Sequence, residues 1–313
     1  MRKPFFSVVI PTYNREDLIE RVLNSVLKQT FTDFEIIIVD NCSTDKTVSI
    51  IQGIQKDHPI INLICNSENL ERCISRNIGI HQSKGEYICF LDSDDFWLEN
   101  HLSELHTKII KTDKVGLYFT NAYNSDDFET LTDRICPDLD NFSVPDYLLT
   151  YTFNPSRVAV HHKVLEAFEF DPEIPGLEDF DLWLRIATKF PIFQLNKRTV
   201  VYNSHSESTS STTLKNSNIE IKLYQTVFSK ETLKKSLPKE SKNRLMSMCY
   251  YHKVLSLNSG FYPFLIHYYI FKAFILCPEG YNTNSNKTMF VIFIDQFPII
   301  GYLSRFIRGI IRK

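Results

Sequence analysis

The acidic run Asp92-Ser93-Asp94-Asp95 directly follows the apolar stretch Tyr87-Ile88-Cys89-Phe90-Leu91. Residues two apart on a strand point to the same side, so Asp92 and Asp94 would present two carboxylates together. Hard oxygen ligands of this kind suit a divalent cation such as Mg2+ or Mn2+. Such a cation keeps open positions for diphosphate oxygens and neutralises charge that develops on a leaving nucleoside diphosphate. Alone, the run reads equally well as a solvated acidic turn ahead of the helix that begins near Glu99.

Other residues offer further chemistry, each with a plainer alternative. Tyr13 presents an aromatic face to a base, or packs as a turn aromatic. Asp40 can accept hydrogen bonds from an imide N–H, or close an Asx-turn. Arg76 supplies a fixed positive charge, or pairs with Glu71 or sits solvated. Asp179 is suited to take a proton from an attacking hydroxyl, and its neighbours Glu178 and Asp181 would raise its pKa. The alternative for Asp179 is an acid at a helix start, favoured by the dipole. His205 stands in a Ser-rich loop with no apolar face to bury against, which leaves an exposed or a functional position.

These residues need a scaffold that brings them to one rim. Ser7-Val8-Val9-Ile10 is a short β-rich run, and Arg15 to Lys28 carries Leu18, Val22, Leu23 and Val26 at helical spacing. Glu35 to Val39 is a continuous apolar strand of the doubly buried, parallel kind. A helix is expected over 45–55 with Ser43 or Asp45 as cap, a strand over 61–65, a helix over 71–82, a strand over 87–91 and a helix over 99–111. Strand–helix alternation means a mostly parallel sheet flanked by helices, an α/β fold. Ligands bind such sheets beyond the carboxyl ends of the strands, which is where Pro11 to Arg15, Asp40 to Ser43 and Asp92 to Asp95 fall. Strands are further expected over 115–120, 157–160 and 193–202, a helix over 178–189, and a loop over 204–217.

Five blocks then stand in order: S-V-V-I-P-T-Y-N-R at 7–15, I-I-I-V-D-N-C-S-T-D-K-T at 36–47, R-N-I-G-I-H-Q-S-K-G-E-Y-I-C-F-L-D-S-D-D at 76–95, E-D-F-D-L-W-L-R at 178–185 and Y-N-S-H-S-E-S-T-S at 202–210. Over about the first 210 residues the chain resembles the family 2 glycosyltransferases, which have the Rossmann-like GT-A fold. The resemblance implies a metal-dependent, inverting transfer of a sugar from a nucleotide-sugar donor, a UDP-sugar, to a glycan or lipid-linked acceptor in surface polysaccharide synthesis. It places Pro11, Thr12, Tyr13 and Arg15 at the nucleoside, Asp40 at the base and Arg76 near the donor. Asp92, with Ser93 beside it, falls at the ribose or donor sugar. Asp94 matches the ligand of an Mn2+ or Mg2+ ion, His205 the histidine that closes over metal or diphosphate, and Asp179 the general base.

Two departures qualify the match. No basic residue directly precedes His205. There is no Q-x-x-R-W, since the tryptophans are Trp97 and Trp183 alone, so a single sugar addition is expected rather than processive synthesis. Rival classes fit less well. Nucleotidyltransferases need a Gly-rich loop after the first strand, dinucleotide oxidoreductases need G-x-G-x-x-G, and a non-catalytic binding protein would typically have lost Asp94 or Asp179.

The remaining expectations concern class and place. A formal net charge of -2 gives no global case for nucleic-acid binding. The seven cysteines are odd in number and without C-x-x-C spacing, which fits reduced thiols in a cytoplasmic protein. The nearest approach to a spanning helix, 261–277, is interrupted by Pro263, His267 and Lys272 and falls short of ~20 apolar residues. A catalytic domain over 1–210 is expected, followed by a helical region over 211–313. In the latter, Tyr302 to Lys313 sets Leu303, Phe306, Ile307 and Ile310 against Arg305, Arg308 and Arg312. That amphipathic basic helix suits an anionic membrane surface, peripheral on the inner face of the plasma membrane, or packing on the catalytic domain or a second subunit of an oligomer.

Overall fold

The computed structural model describes residues 3–127, 129–203, 217–256 and 263–276. Two apolar runs, Phe6–Thr12 (β1) and Phe34–Asp40 (β2), pair in parallel with Val8 opposite Ile36 and Thr12 opposite Asp40. Ile61–Cys65 (β3) adds to β2, and Tyr87–Phe90 (β4) adds to the other side of β1, both parallel. The helices between them, Ile19–Leu27 (α1), Thr47–Gln55 (α2) and Arg72–Gln82 (α3), make the right-sized crossovers for such pairs.

Both faces of this half are covered, which explains the unbroken apolar character of β1 and β2. On one face Phe6, Val8 and Ile10 join Ile19, Val22, Leu23 and Val26 of α1 in a buried cluster with Ile36, Ile38, Cys89 and Leu91. On the other face α3 lies close to β1. A Cβ at Gly79 would stand 2.3 Å from Val9 Cγ1, so only glycine permits that approach.

After β4 the chain changes habit. Phe96–Trp97 (β5) follows the acidic run, then His101–Thr112 (α4) and the long strand Leu117–Ser125 (β6). Thr132–Asp133 (β7), Val144–Thr150 (α5), Val158–His161 (β8), His162–Leu165 (α6), Glu178–Ala187 (α7) and Ile192–Asn203 (β9) complete the first unit. The sheet runs β3-β2-β1-β4-β8-β6-β9-β5, with β7 on β6. Pairings β4–β8, β6–β8, β6–β7 and β5–β9 are antiparallel, while β6–β9 is parallel. The sheet is therefore mixed, and "mostly parallel" describes only its β1–β4 half. The two-residue strands β5 and β7 were invisible to periodicity because they are too short to show one.

The chain divides into two compact units, Met1–Ser208 and Thr209–Lys313. The second unit contains the helices Ser217–Ser229 (α8), Glu231–Ser236 (α9), Lys239–Ser256 (α10) and Pro263–Leu276 (α11). Within it, Ser247 Oγ donates to the Ala273 carbonyl at 2.8 Å and Tyr250 stacks on Tyr269 at 6.0 Å, joining α10 to α11. Among the described residues no helix is long and apolar enough to cross a membrane. Residues 302–313 lie outside the described residues.

Candidate active site

β1 and β4 are neighbours, and the chain returns past β1 to place β4 after laying down β2 and β3. That reversal opens a crevice at the carboxyl ends of β1 and β4. Thr12 at the end of β1 and Asp92 just past the end of β4 are therefore carried by neighbouring strands, with Asp40 at the end of β2 on the other side of β1.

The rim at β1 and β2 is built from hydrogen bonds given by neutral donors, with the Asp40 carboxylate among the acceptors. Asp40 is buried and accepts from Ser43 N at 2.9 Å and from Ser43 Oγ at 2.5 Å, so the loop after β2 folds back on its own aspartate as an Asx-type turn does. Ser43 Oγ in turn accepts from Asn14 N at 2.9 Å. This occupies Ser43, and the first helical N–H of α2 instead donates from Thr47 to Asp45 at 2.9 Å. Asn14 and Cys42 have φ of 48° and 65°, the left-handed conformation such tight turns demand. Tyr13 is 40% exposed, free of the packed-turn alternative. Arg15 donates from Nη1 to the Asn14 carbonyl at 3.2 Å and from its backbone N to Thr47 Oγ1 at 2.7 Å, so the stretch 15–18 is a turn and α1 begins only at Ile19. Pro11 lies in β1 and is half-buried.

Asn41 organises the neighbouring loop. Its Nδ2 donates to Asn69 Oδ1 at 2.8 Å and to the Leu70 carbonyl, and its Oδ1 accepts from Leu70 N at 2.9 Å and Asn66 Nδ2 at 3.1 Å. A single side chain saturates its hydrogen-bonding capacity to hold residues 66–70 against the β2 end.

The acidic run is a turn clamped at both ends. Asp95 N donates to the Asp92 carbonyl at 3.0 Å, β4 enters it, and β5 leaves it paired with Val200 and Val201 of β9. Asp92 and Asp94 are half-buried, whereas Ser93 and Asp95 are buried, so the alternation expected of a strand survives into the turn. Asp95 faces inward: its Oδ2 accepts from Ser156 Oγ at 2.6 Å and from Asn154 Nδ2 at 3.1 Å. Burial first, then the charges of Asp94 and Asp92, push its pKa well up. Ser156 Oγ also accepts from Asp92 N at 3.0 Å, and Trp97 Nε1 donates to the Ser156 carbonyl at 2.8 Å. Asp95 thus ties the acidic turn to the segment 154–157.

The other rim is built from charge. Arg76 on α3 is 3% exposed; its Nη2 donates to Asp92 Oδ1 at 2.7 Å and its Nη1 to Glu178 Oε1 at 3.1 Å. Neither an ion pair with Glu71 nor a solvated position describes it: Glu71 caps α3 by accepting from Cys73 N at 2.5 Å. Arg72, one turn earlier on the same face, reaches Glu178 Oε1 at 2.5 Å. Glu178 Oε2 accepts from Gly176 N at 2.7 Å, at a φ of 88° that favours glycine. Asp179 follows at the start of α7, half-buried, and accepts from Phe180 N at 2.7 Å. Asp181 at the same helix start pairs with Arg185 at 2.7 Å.

The charges explain the titration. Burial opposes the charge of Arg76, but Asp92 and Glu178 hold its pKa up. Burial likewise opposes ionised Glu178, yet Arg72 and Arg76 bring it below its ordinary value. Two guanidiniums then face three carboxylates, Asp92, Glu178 and Asp179. Two negative charges close the account, and the third is in excess. Burial, and next the charge of Glu178, push Asp179 up to about 7. A carboxylate poised near neutrality is what a general base needs.

The model of glycosyl transferase family 2 matches residues 7–162. TuaG of Bacillus subtilis, a glycosyltransferase named for teichuronic acid biosynthesis, is 30% identical over 210 residues, covering 67% of this chain and 82% of TuaG. This chain belongs to glycosyl transferase family 2. The glycosyltransferase is also 36% identical over 185 residues to WfaP of Escherichia coli, named a UDP-Glc:alpha-D-GlcNAc-diphosphoundecaprenol beta-1,3-glucosyltransferase, covering 58% of this chain and 70% of WfaP. Its fold matches the crystal structure of Staphylococcus aureus TarS 1-349 in complex with UDP-GlcNAc, with a TM-score of 0.67 at 19% identity, covering 88% of this chain and 82% of that one. The fold is GT-A.

The structure of this glycosyltransferase sets Thr12, Asp40, Asp92 and Asp94 at or just past the ends of neighbouring strands, and Arg76 links Asp92 to Glu178, the chain neighbour of Asp179. His205 lies outside the described residues. Sequence reading gave no part to Arg72, Asn41, Asn154 or Ser156, and treated Glu178 only as a neighbour of Asp179. The i, i+4 spacing of Arg72 and Arg76 was a usable signal. Asn154 and Ser156 carried none, because their importance arises from contacts some 60 residues distant.

Proposed function

We propose that this glycosyltransferase moves one sugar from a UDP-sugar to a hydroxyl of a glycan or lipid-linked acceptor in bacterial surface polysaccharide synthesis, with inversion and with a divalent cation. The observation that carries the reading is Asp179, a half-buried carboxylate whose pKa burial and Glu178 push up to about 7, next to the Glu178 that Arg76 ties to Asp92 of the acidic turn. The acceptor oxygen forms its bond to the anomeric carbon, the bond to the diphosphate oxygen breaks, and Asp179 takes the hydroxyl proton. Attack opposite the leaving group inverts the centre. Asp92, with Ser93 behind it, accepts hydrogen bonds from a ribose or sugar hydroxyl. Tyr13 stacks on the base, Asp40 accepts from it, and Pro11, Thr12 and Arg15 line the nucleoside side. The names of TuaG and WfaP support a surface-polysaccharide setting, and that of WfaP a UDP-sugar with a diphosphoundecaprenol-linked acceptor.

Among the described residues no three His, Cys, Asp or Glu side chains group to hold a metal ion. A Mg2+-like ion needs only one or two carboxylates besides substrate phosphates. Asp94, half-buried on the outward side of the turn, fits that demand, with His205 as the second protein ligand. Bound there, the ion would neutralise the departing diphosphate. The exposed Tyr268, Phe271 and Ile275 on α11 are one helical face, and they support peripheral contact of the second unit with an anionic membrane from the cytoplasmic side. Removing residues 302–313 should reduce co-sedimentation with anionic vesicles.

A donor screen tests the central reading. UDP-, GDP- and dTDP-sugars are offered with Mn2+ or with excess chelator, and nucleoside diphosphate release is measured. Release from a UDP-sugar, lost with chelator and lost in Asp94→Ala, is expected. Undiminished release in chelator overturns the metal assignment.

A further inference from the structure

Arg76 stands between two carboxylates of different accessibility. The Asp92 side chain is 23% exposed at the crevice, whereas that of Glu178 is 4% exposed and out of reach of any substrate. We infer that Arg76 is a positioning residue that couples the donor side of the site to the base side: Asp92 and Glu178 share its guanidinium, so a donor that engages Asp92 changes how firmly Glu178 is neutralised beside Asp179. This rests on the proposed roles of Asp92 at the donor and Asp179 as base.

The physics follows from the shared cation. The groups facing Asp179 are Glu178 on its own helix, Arg72 and Arg76 from α3, and the Phe180 N–H. Asp92 reaches this set through Arg76. With the crevice empty, Asp92 draws on the Arg76 charge, and Glu178 is neutralised chiefly by Arg72 and the Gly176 N–H. A ribose or sugar hydroxyl donating to Asp92 satisfies part of that carboxylate. Arg76 then leans toward Glu178, and the repulsion of Glu178 on Asp179 falls. The base becomes ready to accept a proton once the donor is seated. Coupling of this kind is reciprocal, so changes on the base side must alter donor affinity with opposite signs. Losing Glu178 leaves Arg76 wholly to Asp92 and weakens donor binding. Losing Arg72 pulls Arg76 toward Glu178 and strengthens it.

The direct experiment follows the Asp179 carboxyl 13C resonance, assigned by its absence in Asp179→Asn, through a pH titration of the full chain with and without saturating UDP-sugar from the donor screen. We expect its midpoint to fall by about one pH unit with donor, the scale of one neighbouring charge, and to lose that dependence in Asp92→Asn. Donor affinity should weaken about fivefold or more in Glu178→Gln and tighten in Arg72→Gln, the lower end of usual coupling. Arg72 is the more exposed of the two, so its variant serves where Glu178→Gln does not fold. A midpoint unmoved by donor, or still moved by it in Asp92→Asn, overturns the coupling. Turnover retained in Asp179→Asn instead overturns the assignment of the base.

Discussion

The two rims of the crevice are held by different forces. At the ends of β1 and β2, hydrogen bonds from neutral donors do the holding: Ser43 on Asp40, Asn14 on Ser43, Asn41 on residues 66–70. At the start of α7 the holding is ionic, with Arg72 and Arg76 on Glu178 and Asp92. The donors of the first rim are neutral hydroxyls, amides and backbone N–H groups. The second carries one carboxylate more than it has guanidiniums, and its excess proton is available for exchange. A transferase needs both: a stiff seat for the nucleotide and a titratable group near the acceptor.

The sharpest break of this contrast is Asp179→Asn. It removes the exchangeable proton site while leaving the rim at β1 and β2 intact. Turnover should fall by about 10² to 10⁴, the usual span for general acid–base catalysis, while UDP binding measured by calorimetry changes by no more than the roughly tenfold that one pH unit of coupling carries. Loss of nucleotide affinity with turnover preserved would place the base elsewhere.

Asn41→Ala attacks the opposite rim. It strips the partners of Asn66, Asn69 and Leu70 from a largely exposed loop, at a net cost of about 0.5–1.5 kcal/mol for each hydrogen bond lost. The donor KM should rise several-fold, and the acid limb of the pH–rate profile should stay where it is. A limb that moves would mean the rims are not separable in this way.

Gly79→Ala tests the packing that carries the charged rim. The added methyl meets Val9 at 2.3 Å, and α3 must lift from β1 with Arg72 and Arg76 on it. An overpacking cost of about 1–3 kcal/mol is expected, read as a lowered Tm together with a smaller loss of turnover.

The smallest effect concerns stability and pH. Asp179 is raised from 3.8 to about 7, so its contribution to folding is fully present below its unfolded value and is lost as pH rises through the folded one. The asparagine variant lacks that loss. Its Tm relative to the parent should therefore climb between about pH 4 and pH 7 and level off above, as followed by thermal melts across that window.

Much of this was legible in the residues. Apolar runs and helical spacing located β1, β2, β3, β4 and the helices between them to within a few residues, because a doubly covered parallel sheet leaves little freedom in composition. One element edge went astray where a side chain bonded backbone, since Arg15 N on Thr47 delayed α1, while of the two residues expected to cap α2 it is Asp45 that receives its first N–H. The alternation of Asp92 and Asp94 against Ser93 and Asp95 was also readable, since it follows from a two-residue period. Asp95, by contrast, had no assignable part until Ser156 and Asn154 were seen beneath it.

Which groups with chemistry this chain owns, and that strand ends would carry them to one rim, followed from the residues alone, because periodicity and turn residues are local properties. Their charge state came from the folded arrangement. Arg76, Asp92 and Glu178 come from α3, the end of β4 and the start of α7, and their mutual distances are set by Gly79 on Val9 and by the reversal of the sheet at β1 and β4. Ionisation depends on burial and on neighbours across those elements, and no spacing along the chain encodes either.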